Sequence, residues 1–278
     1  MMNASVRTIE KFIPFPYSIK QISRRCSPVG GFPSLYQRRF LGSKLSRMSE
    51  NSVRCDLGLQ PKAECVFPAS DDHIEEAIDA IKAGKVIAVP TDTIYGFACD
   101  AWLVFSEAVN RIYEIKGRKH TSPLAICVAD VPDISRFALV DHLPHGLLDS
   151  LLPGPVTVVL KRGESSILEK SLNPGLDSIG VRVPDFDFIR AIARGAKSAL
   201  ALTSANLSGQ LSSVSVKDFE NLWRHCAFVY DGGLLPSGRA GSTVVDLIKP
   251  GAYKILRNGS ALEETTAILQ KFGLEETP

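Results

Sequence analysis

The chain has 278 residues, 45% of them apolar and 22% charged, with a net charge of +2. That length buries a sizeable core, and the composition is that of a globular protein rather than a collagenous or low-complexity one. Six cysteines without a CxxC pair or framework spacing, and five scattered histidines without HxxxH or HExxH, argue against a disulfide scaffold and an all-protein transition-metal site.

The charge is unevenly spread. Residues 1–54 hold ten Lys and Arg against Glu10 and Glu50, a net of +8 that leaves −6 for the rest. This basic, Ser-rich, acid-poor head lacks an apolar h-region. It reads as a disordered targeting segment for a mitochondrion or plastid, the other reading being a basic arm that touches nucleic acid. Initiation at Met48 would remove nearly all of it and supply a cytoplasmic form. No window reaches the roughly 18 apolar residues of a transmembrane helix, so no integral membrane association is expected.

Residues 55–67 read as a linker and 68–275 as one domain. Ser70-Asp-Asp-His opens it and is expected to cap an amphipathic helix carrying Ile74, Ala77, Ile78 and Ile81, which stops at Gly84. Strand Val86–Val89 follows, then helix Phe105–Ile115, then strand Leu124–Val128. Ile134–Phe137 begins a helical stretch, and helix Leu147–Leu152 is stopped by Pro153-Gly-Pro155. Next come strand Val156–Leu160, strand Ile179–Val183, helix Phe186–Ala193, strand Leu200–Thr203 and helix Val216–Leu222. Phe228–Val229, Ser242–Leu247 and Tyr253–Leu256 close the set as strands, with Leu262–Phe272 a last helix. Interleaved but not strictly alternating elements predict an α/β fold, an open twisted mixed sheet with flanking helices.

Two apolar runs end alike. Val86-Ile-Ala-Val-Pro90 opens into Thr91-Asp-Thr-Ile-Tyr-Gly96, and Ala199-Leu-Ala-Leu202 into Thr203-Ser-Ala-Asn-Leu-Ser-Gly209. Hydroxyls and amides at strand ends build ligand crevices in open α/β sheets, so the two ends suggest one composite site. No GxxxxGK[ST], no GxGxxG after a strand and no GxSxG elbow is present, so neither a P-loop, a Rossmann turn nor a serine nucleophile is at hand.

Lys116 and Arg118 straddle Gly117, either as a pair facing one polyphosphate or as a plain basic helix end. Arg182, between two valines, either borders the crevice or faces solvent. Tyr95 either stacks on a planar ring or fills core, and Asp92 either caps a turn or takes part in chemistry. Gly238-Arg-Ala-Gly-Ser-Thr243 is either a cationic ligand loop or a hairpin turn. Cations and hydroxyls without an acid–base pair suit phosphoryl or nucleotidyl transfer better than hydrolysis through a covalent enzyme.

Seven segments in order resemble the YrdC-like threonylcarbamoyl-adenylate synthases, in their short eukaryotic single-domain form. They are Pro90–Gly96, Lys116–Arg118 with Pro123-Leu124, Leu152–Thr157, Gly180–Pro184, Thr203–Gly209, Gly241–Asp246 and Ile255–Gly259. The resemblance implies a YrdC-like fold with a concave cationic cavity. It also implies formation of threonylcarbamoyl-adenylate and pyrophosphate from L-threonine, bicarbonate or CO₂, and ATP with Mg²⁺. A Kae1/TsaD-type transferase would then carry the group to adenosine 37 of ANN-decoding tRNAs, which this chain meets directly or through that partner.

By the same resemblance Lys116, Arg118, Arg182, Ser204 and Asn206 are the catalytic set. Thr93, Thr157, Arg182 and Ser242 would bind threonine. Tyr95, Lys116, Arg118, Ser204, Asn206, Arg239 and Arg257 would bind the nucleotide, and no side chain is assigned to a metal. One departure stands out. Many prokaryotic relatives carry histidine where this chain has Cys127, so a histidine contact to threonine does not carry over. The alternative functions are a non-catalytic RNA-binding module of the same fold and a carbamoyl-phosphate-dependent adenylating domain of the kind embedded in hydrogenase maturation proteins. A net acidic residues 55–278 without aromatic–basic interleaving disfavours the first. The missing zinc-finger and acylphosphatase-like regions disfavour the second.

Overall fold

The computed structural model describes residues 65–102, 106–117, 123–163, 166–168 and 172–278. The targeting segment 1–54 and most of the 55–67 linker lie outside the described residues.

Eleven described strands form one sheet: β1 (Val66–Pro68), β2 (Ile87–Val89), β3 (Gly96–Asp100), β4 (Ala125–Cys127), β5 (Val156–Lys161), β6 (Ser178–Arg182), β7 (Leu200–Ser204), β8 (Phe228–Asp231), β9 (Thr243–Asp246), β10 (Ala252–Arg257) and β11 (Glu275–Glu276). Their spatial order is β1-β8-β2-β3-β7-β4-β6-β5-β9-β10-β11, with parallel and antiparallel pairs mixed. The α-helices are α1 (Ile74–Lys82), α2 (Ser106–Lys116), α3 (Leu147–Leu151), α4 (Asp187–Ala196) and α5 (Leu262–Lys271). The predicted mixed sheet with flanking helices is therefore what forms.

Side-chain alternation gives the sheet two unlike faces. Ile126, Val158, Val181, Ala201 and Val245 point into the larger core, which α2, α3 and α5 help to close through Val109, Ile112, Leu147 and Leu269. On the opposite face α1 and α4 pack together over Ala98, Cys127, Leu200 and Leu202. Their contact is close at Gly195, where an added Cβ would lie 2.2 Å from Ile78 Cδ1.

Those two helices cover only part of their face. Pairing register sets Leu202, Ala125, Gly180, Val159 and Asp246 in one row across β7, β4, β6, β5 and β9. Past β4 the row leaves the helices and becomes the floor of an open cavity of about 480 Å³.

Several local expectations need correction. Ser70 is extended, makes no side-chain cap, and precedes a single 3₁₀ turn, Asp71–His73, before α1 begins. The stretch from Ile134 is a 3₁₀ helix, Val131–Arg136, that closes at Phe137 rather than opening a longer helix. Val216–Leu222 belongs to a 3₁₀ segment, Val216–His225, kinked at Phe219 (φ −131°, ψ 28°). That kink turns the Phe219 ring onto Tyr95 and Phe97, at centroid distances of 5.7 and 5.9 Å. β3 was not predicted because Gly96 and Asp100 bound it, yet all five residues are buried. Asp100 is satisfied there by Ser198 Oγ at 2.7 Å and the Trp102 N–H at 2.9 Å.

Candidate active site

The cavity wall begins where β2 ends. Thr91 ties the following loop into a knot: its Oγ1 accepts from the backbone N–H of Thr93 and of Ile94, each at 3.2 Å, and donates to the Ile94 carbonyl at 2.7 Å. A short polar side chain that replaces backbone partners in this way fixes a tight turn. The turn presents Asp92, whose Oδ1 lies 2.6 Å from Arg182 Nη2 and whose Oδ2 accepts from the Asp185 N–H at 3.2 Å. Both side chains are almost wholly buried, at 8% and 7% exposure. The solvent-facing alternative for Arg182 is thereby excluded, and Asp92 is its counter-ion rather than a turn cap. Arg182 lines the cavity; its Nη2 also reaches Thr93 Oγ1 at 3.3 Å, and its Nε is buried without a hydrogen-bond partner. A guanidinium at a cavity wall is suited to pairing with an anion.

The second strand end is built around Lys116, at the C-terminus of α2. Its Nζ donates to the Ser204 carbonyl at 2.5 Å, Ser204 Oγ at 3.2 Å, and the Asn206 carbonyl and Oδ1, both at 2.9 Å. The lysine is 3% exposed and stands behind the wall, whereas Ser204 lines it. Asn206 is locked as well, with Oδ1 accepting from Ser204 Oγ at 2.6 Å and Nδ2 donating to the Gln210 carbonyl at 2.6 Å. Lys116 thus shapes the hydroxyl loop from within. Arg118 lies outside the described residues.

The third wall comes from β5, β9 and β10. Thr157 Oγ1 and Ser242 Oγ are 2.7 Å apart, and Arg257 Nη2 donates to the Ser242 carbonyl at 2.9 Å and its Oγ at 3.1 Å. Gly241, at φ +69°, lets the chain turn into β9 here. A Cβ on Gly259 would sit 2.1 Å from Thr243 N, so only glycine fits against the start of that strand.

Of the sequence-predicted side chains, Tyr95, Thr157, Arg182, Ser204, Ser242 and Arg257 line the cavity, with Thr93, Lys116 and Asn206 bonded directly to that lining. Two predictions need correction. Arg239 is drawn away by Asp218, at 3.1 Å, and by the Ser212 carbonyl, so its charge is committed to the surface and not to the cavity. Tyr95 fills core instead of stacking on a ligand. Its ring is fully buried, and its hydroxyl donates to Asp231 Oδ1 at 3.0 Å and the Gly233 carbonyl at 2.7 Å and accepts from the Gly232 N–H. Burial above all, with Asp231 adding to it, pushes the pKa of that hydroxyl well above its ordinary value, so it stays protonated. Tyr95→Phe is accordingly expected to lower stability by about 1–2 kcal/mol while nucleotide KM stays within about threefold, as thermal melts and steady-state kinetics would show.

Cys127 is a buried core residue packed under α4, on the helix-covered part of the face. Burial pushes its thiol up to about 12, with the Arg182 charge opposing. It serves as packing, not as a substitute for a histidine contact. Asp246, Leu176 and Leu256 were not assigned roles from sequence. Asp246 could have been found from the period-2 set Ser242, Val244, Asp246, all of which line the cavity. A second cavity of about 400 Å³ near Asp130, Asp133, Arg136 and Arg194 is largely self-neutralised. Asp130 holds both Arg190 and Arg194, which keep its carboxyl below the usual range.

Among the described residues no three His, Cys, Asp or Glu groups cluster to hold a metal. Asp92 is spent on Arg182, and Asp246 is the single carboxylate in the described lining. This donor set does not make a metal cage; it suits a metal that arrives already bound to a polyphosphate.

Residues 79–259 match the Sua5_yciO_yrdC family, described as Telomere recombination. The chain is 48% identical to a threonylcarbamoyl-AMP synthase of Bos taurus over 73% of its own length and 74% of that protein's. It is likewise 48% identical to a threonylcarbamoyl-AMP synthase of Homo sapiens over 73% of each. The solved P. abyssi Sua5 complexed with L-threonine superposes with a TM-score of 0.64 at 28% identity, covering 77% of this chain and 62% of that one.

Proposed function

Because the chain belongs to the Sua5/YciO/YrdC family, we infer that it is a threonylcarbamoyl-AMP synthase, a nucleotidyltransferase that serves threonylcarbamoylation of tRNA. The observation in this chain that carries the reading is Arg182: an almost wholly buried guanidinium that lines the cavity and is braced on one side by Asp92. It suits the carboxylate of an amino acid. Thr93, bonded to the same guanidinium, and the Thr157–Ser242 pair supply hydroxyls for the remaining polar atoms of threonine. A relative with the same fold is known with L-threonine bound.

Threonine's amine captures CO₂ to form an N-carboxylate, and this attacks the α-phosphorus of ATP, with pyrophosphate leaving. The nucleophile is made from substrate, which agrees with a cavity whose polar side chains are chiefly hydroxyls, with Arg182 and Arg257 as its cations. Arg257 lines the side of the cavity where phosphate charge would spread in the transition state, and a cation fixed there costs no reorganisation. Mg²⁺ enters as Mg·ATP and screens the polyphosphate.

The labile mixed anhydride then passes to a Kae1/TsaD-type transferase, which places the group on adenosine 37 of ANN-decoding tRNAs. The basic segment 1–54 directs one form of the protein to a mitochondrion or plastid, with the Met48 start supplying the cytoplasm. Fusing residues 1–54 to a fluorescent reporter tests the targeting. The activity is tested by incubating the full chain with threonine, bicarbonate and Mg·ATP. A threonine- and bicarbonate-dependent adenylate of the expected mass, with one pyrophosphate per turnover, supports it. ATP consumption independent of threonine would sink it.

A further inference from the structure

Asp246 is the only carboxylate among the described residues that lines the cavity. It is the last residue of β9, and it faces the same way as Ser242 and Val244. A single hydrogen bond from the protein reaches its side chain, from the Ile248 N–H to Oδ1 at 2.8 Å. Its cross-strand partners are Val159, which is apolar, and Lys254, whose ammonium is turned to the Pro278 carbonyl at 2.5 Å. No described cation neutralises it. A carboxylate with spare acceptor capacity, set in a wall of Val159 and Val244, calls for a neutral or cationic donor on the ligand.

The order of groups along the cavity says which donor. At the start of β9, Ser242 stands with Thr157 and Arg257, the polar and cationic end. Asp246 lies four residues along the same strand, in the row that contains Gly180 and Val159. Around it the lining turns apolar. Leu176, from the loop before β6, and Leu256 are half exposed, at 45% and 50%. Leu256 is the extra residue of an irregularity in which β10 passes from Ile255 to Arg257 while β9 advances by one. A bulge of this kind places two successive side chains on one face, and Leu256 and Arg257 both line the cavity. Cations, then an acceptor, then leucines is the sequence of a nucleotide's own parts: phosphate, ribose, base.

We propose that Asp246 accepts the ribose hydroxyls of the nucleotide, while Leu176 and Leu256 hold its base, so that this carboxylate makes the site selective for ribonucleotides. The assignment rests on the synthase reading for the identity of the nucleotide. It does not require Asp246 to move a proton.

The test compares ATP with 2′-deoxy-ATP and 3′-deoxy-ATP, by kcat and KM for adenylate formation and by calorimetric affinity of the full chain. The wild-type protein is expected to favour ATP over at least one deoxy form by about 10–100-fold, the range for one hydrogen bond to a charged group. The preference should reside in KM. In Asp246→Ala it should fall to within about threefold, with KM for threonine unchanged. Asp246→Asn keeps one acceptor oxygen and should lie between, which guards against an alanine variant that fails to fold. A wild-type protein indifferent to the ribose hydroxyls overturns the proposal. So does a variant that weakens all three nucleotides equally, or one that raises only the KM for threonine and thereby marks Asp246 as an ammonium site. If no nucleotide yields adenylate, the synthase reading falls, and the calorimetric ratios still decide this one.

Discussion

Arg182→Ala is expected to lower adenylate formation at least about a hundredfold and to destabilise the fold by roughly 3–5 kcal/mol, the usual consequence of breaking one side of a buried ion pair. Both losses have one cause. The guanidinium holds Asp92 at 2.6 Å and lines the cavity, so its removal deprives the ligand of a cation and strands a buried carboxylate. The two contributions can be separated. Arg182→Met with Asp92→Asn replaces the ionic pair by a nearly neutral one, and denaturant unfolding should show much of the stability restored. Threonine-dependent turnover should stay lost. If the double variant regains turnover, Arg182 is a structural brace and does not meet the substrate.

Lys116→Ala should also cut turnover by about a hundredfold or more, by another route. Its ammonium meets four oxygens of Ser204 and Asn206, and without it the Asn206 carbonyl loses its donor, while the Ser204 carbonyl keeps the Asn206 N–H and Asn206 Oδ1 keeps the Ser204 hydroxyl. Leaving one buried carbonyl unsatisfied costs on the order of 1–3 kcal/mol. The bonding predicts loss of stability and loss of turnover together. Lys116→Arg should rescue poorly, since a planar fork does not reproduce a compact ammonium among four acceptors. Thermal melts beside adenylate assays check this. A Lys116→Ala protein with wild-type stability and no turnover would instead return the lysine to direct phosphate contact.

Much of the architecture is legible from periodicity. α1 and α4 announce themselves by apolar spacing, and the runs at 87–89 and 200–204 read as buried strands that end in hydroxyl-rich turns. The segments that were misread depend on tertiary partners. Phe219 breaks a helical pattern to reach Tyr95, and β3 carries an aspartate inside because Ser198 waits for it across 98 residues of chain. The site divides in the same way. Arg182 stands out as a charge set between two valines, whereas Thr157 and Ser242 enter only through the family resemblance. Direction is what sequence withholds: Arg239 is as cationic as Arg257, and only Asp218 decides that one of them turns away.

A final consequence follows from the sheet face that α1 and α4 cover only in part. Under the helices Ile78, Ile81, Ile189 and Ile192 fill the space, while Gly180 and Ala125 leave the neighbouring floor bare. Evolution could have heated this protein's tolerance simply by growing side chains there, since filled volume is a ready route to a higher melting point. Every such gain would plug the vessel in which the anhydride is made. Thermal adaptation of this chain is therefore steered to the surfaces beneath α2, α3 and α5, and the bare floor is the part of the molecule that durability has to leave alone.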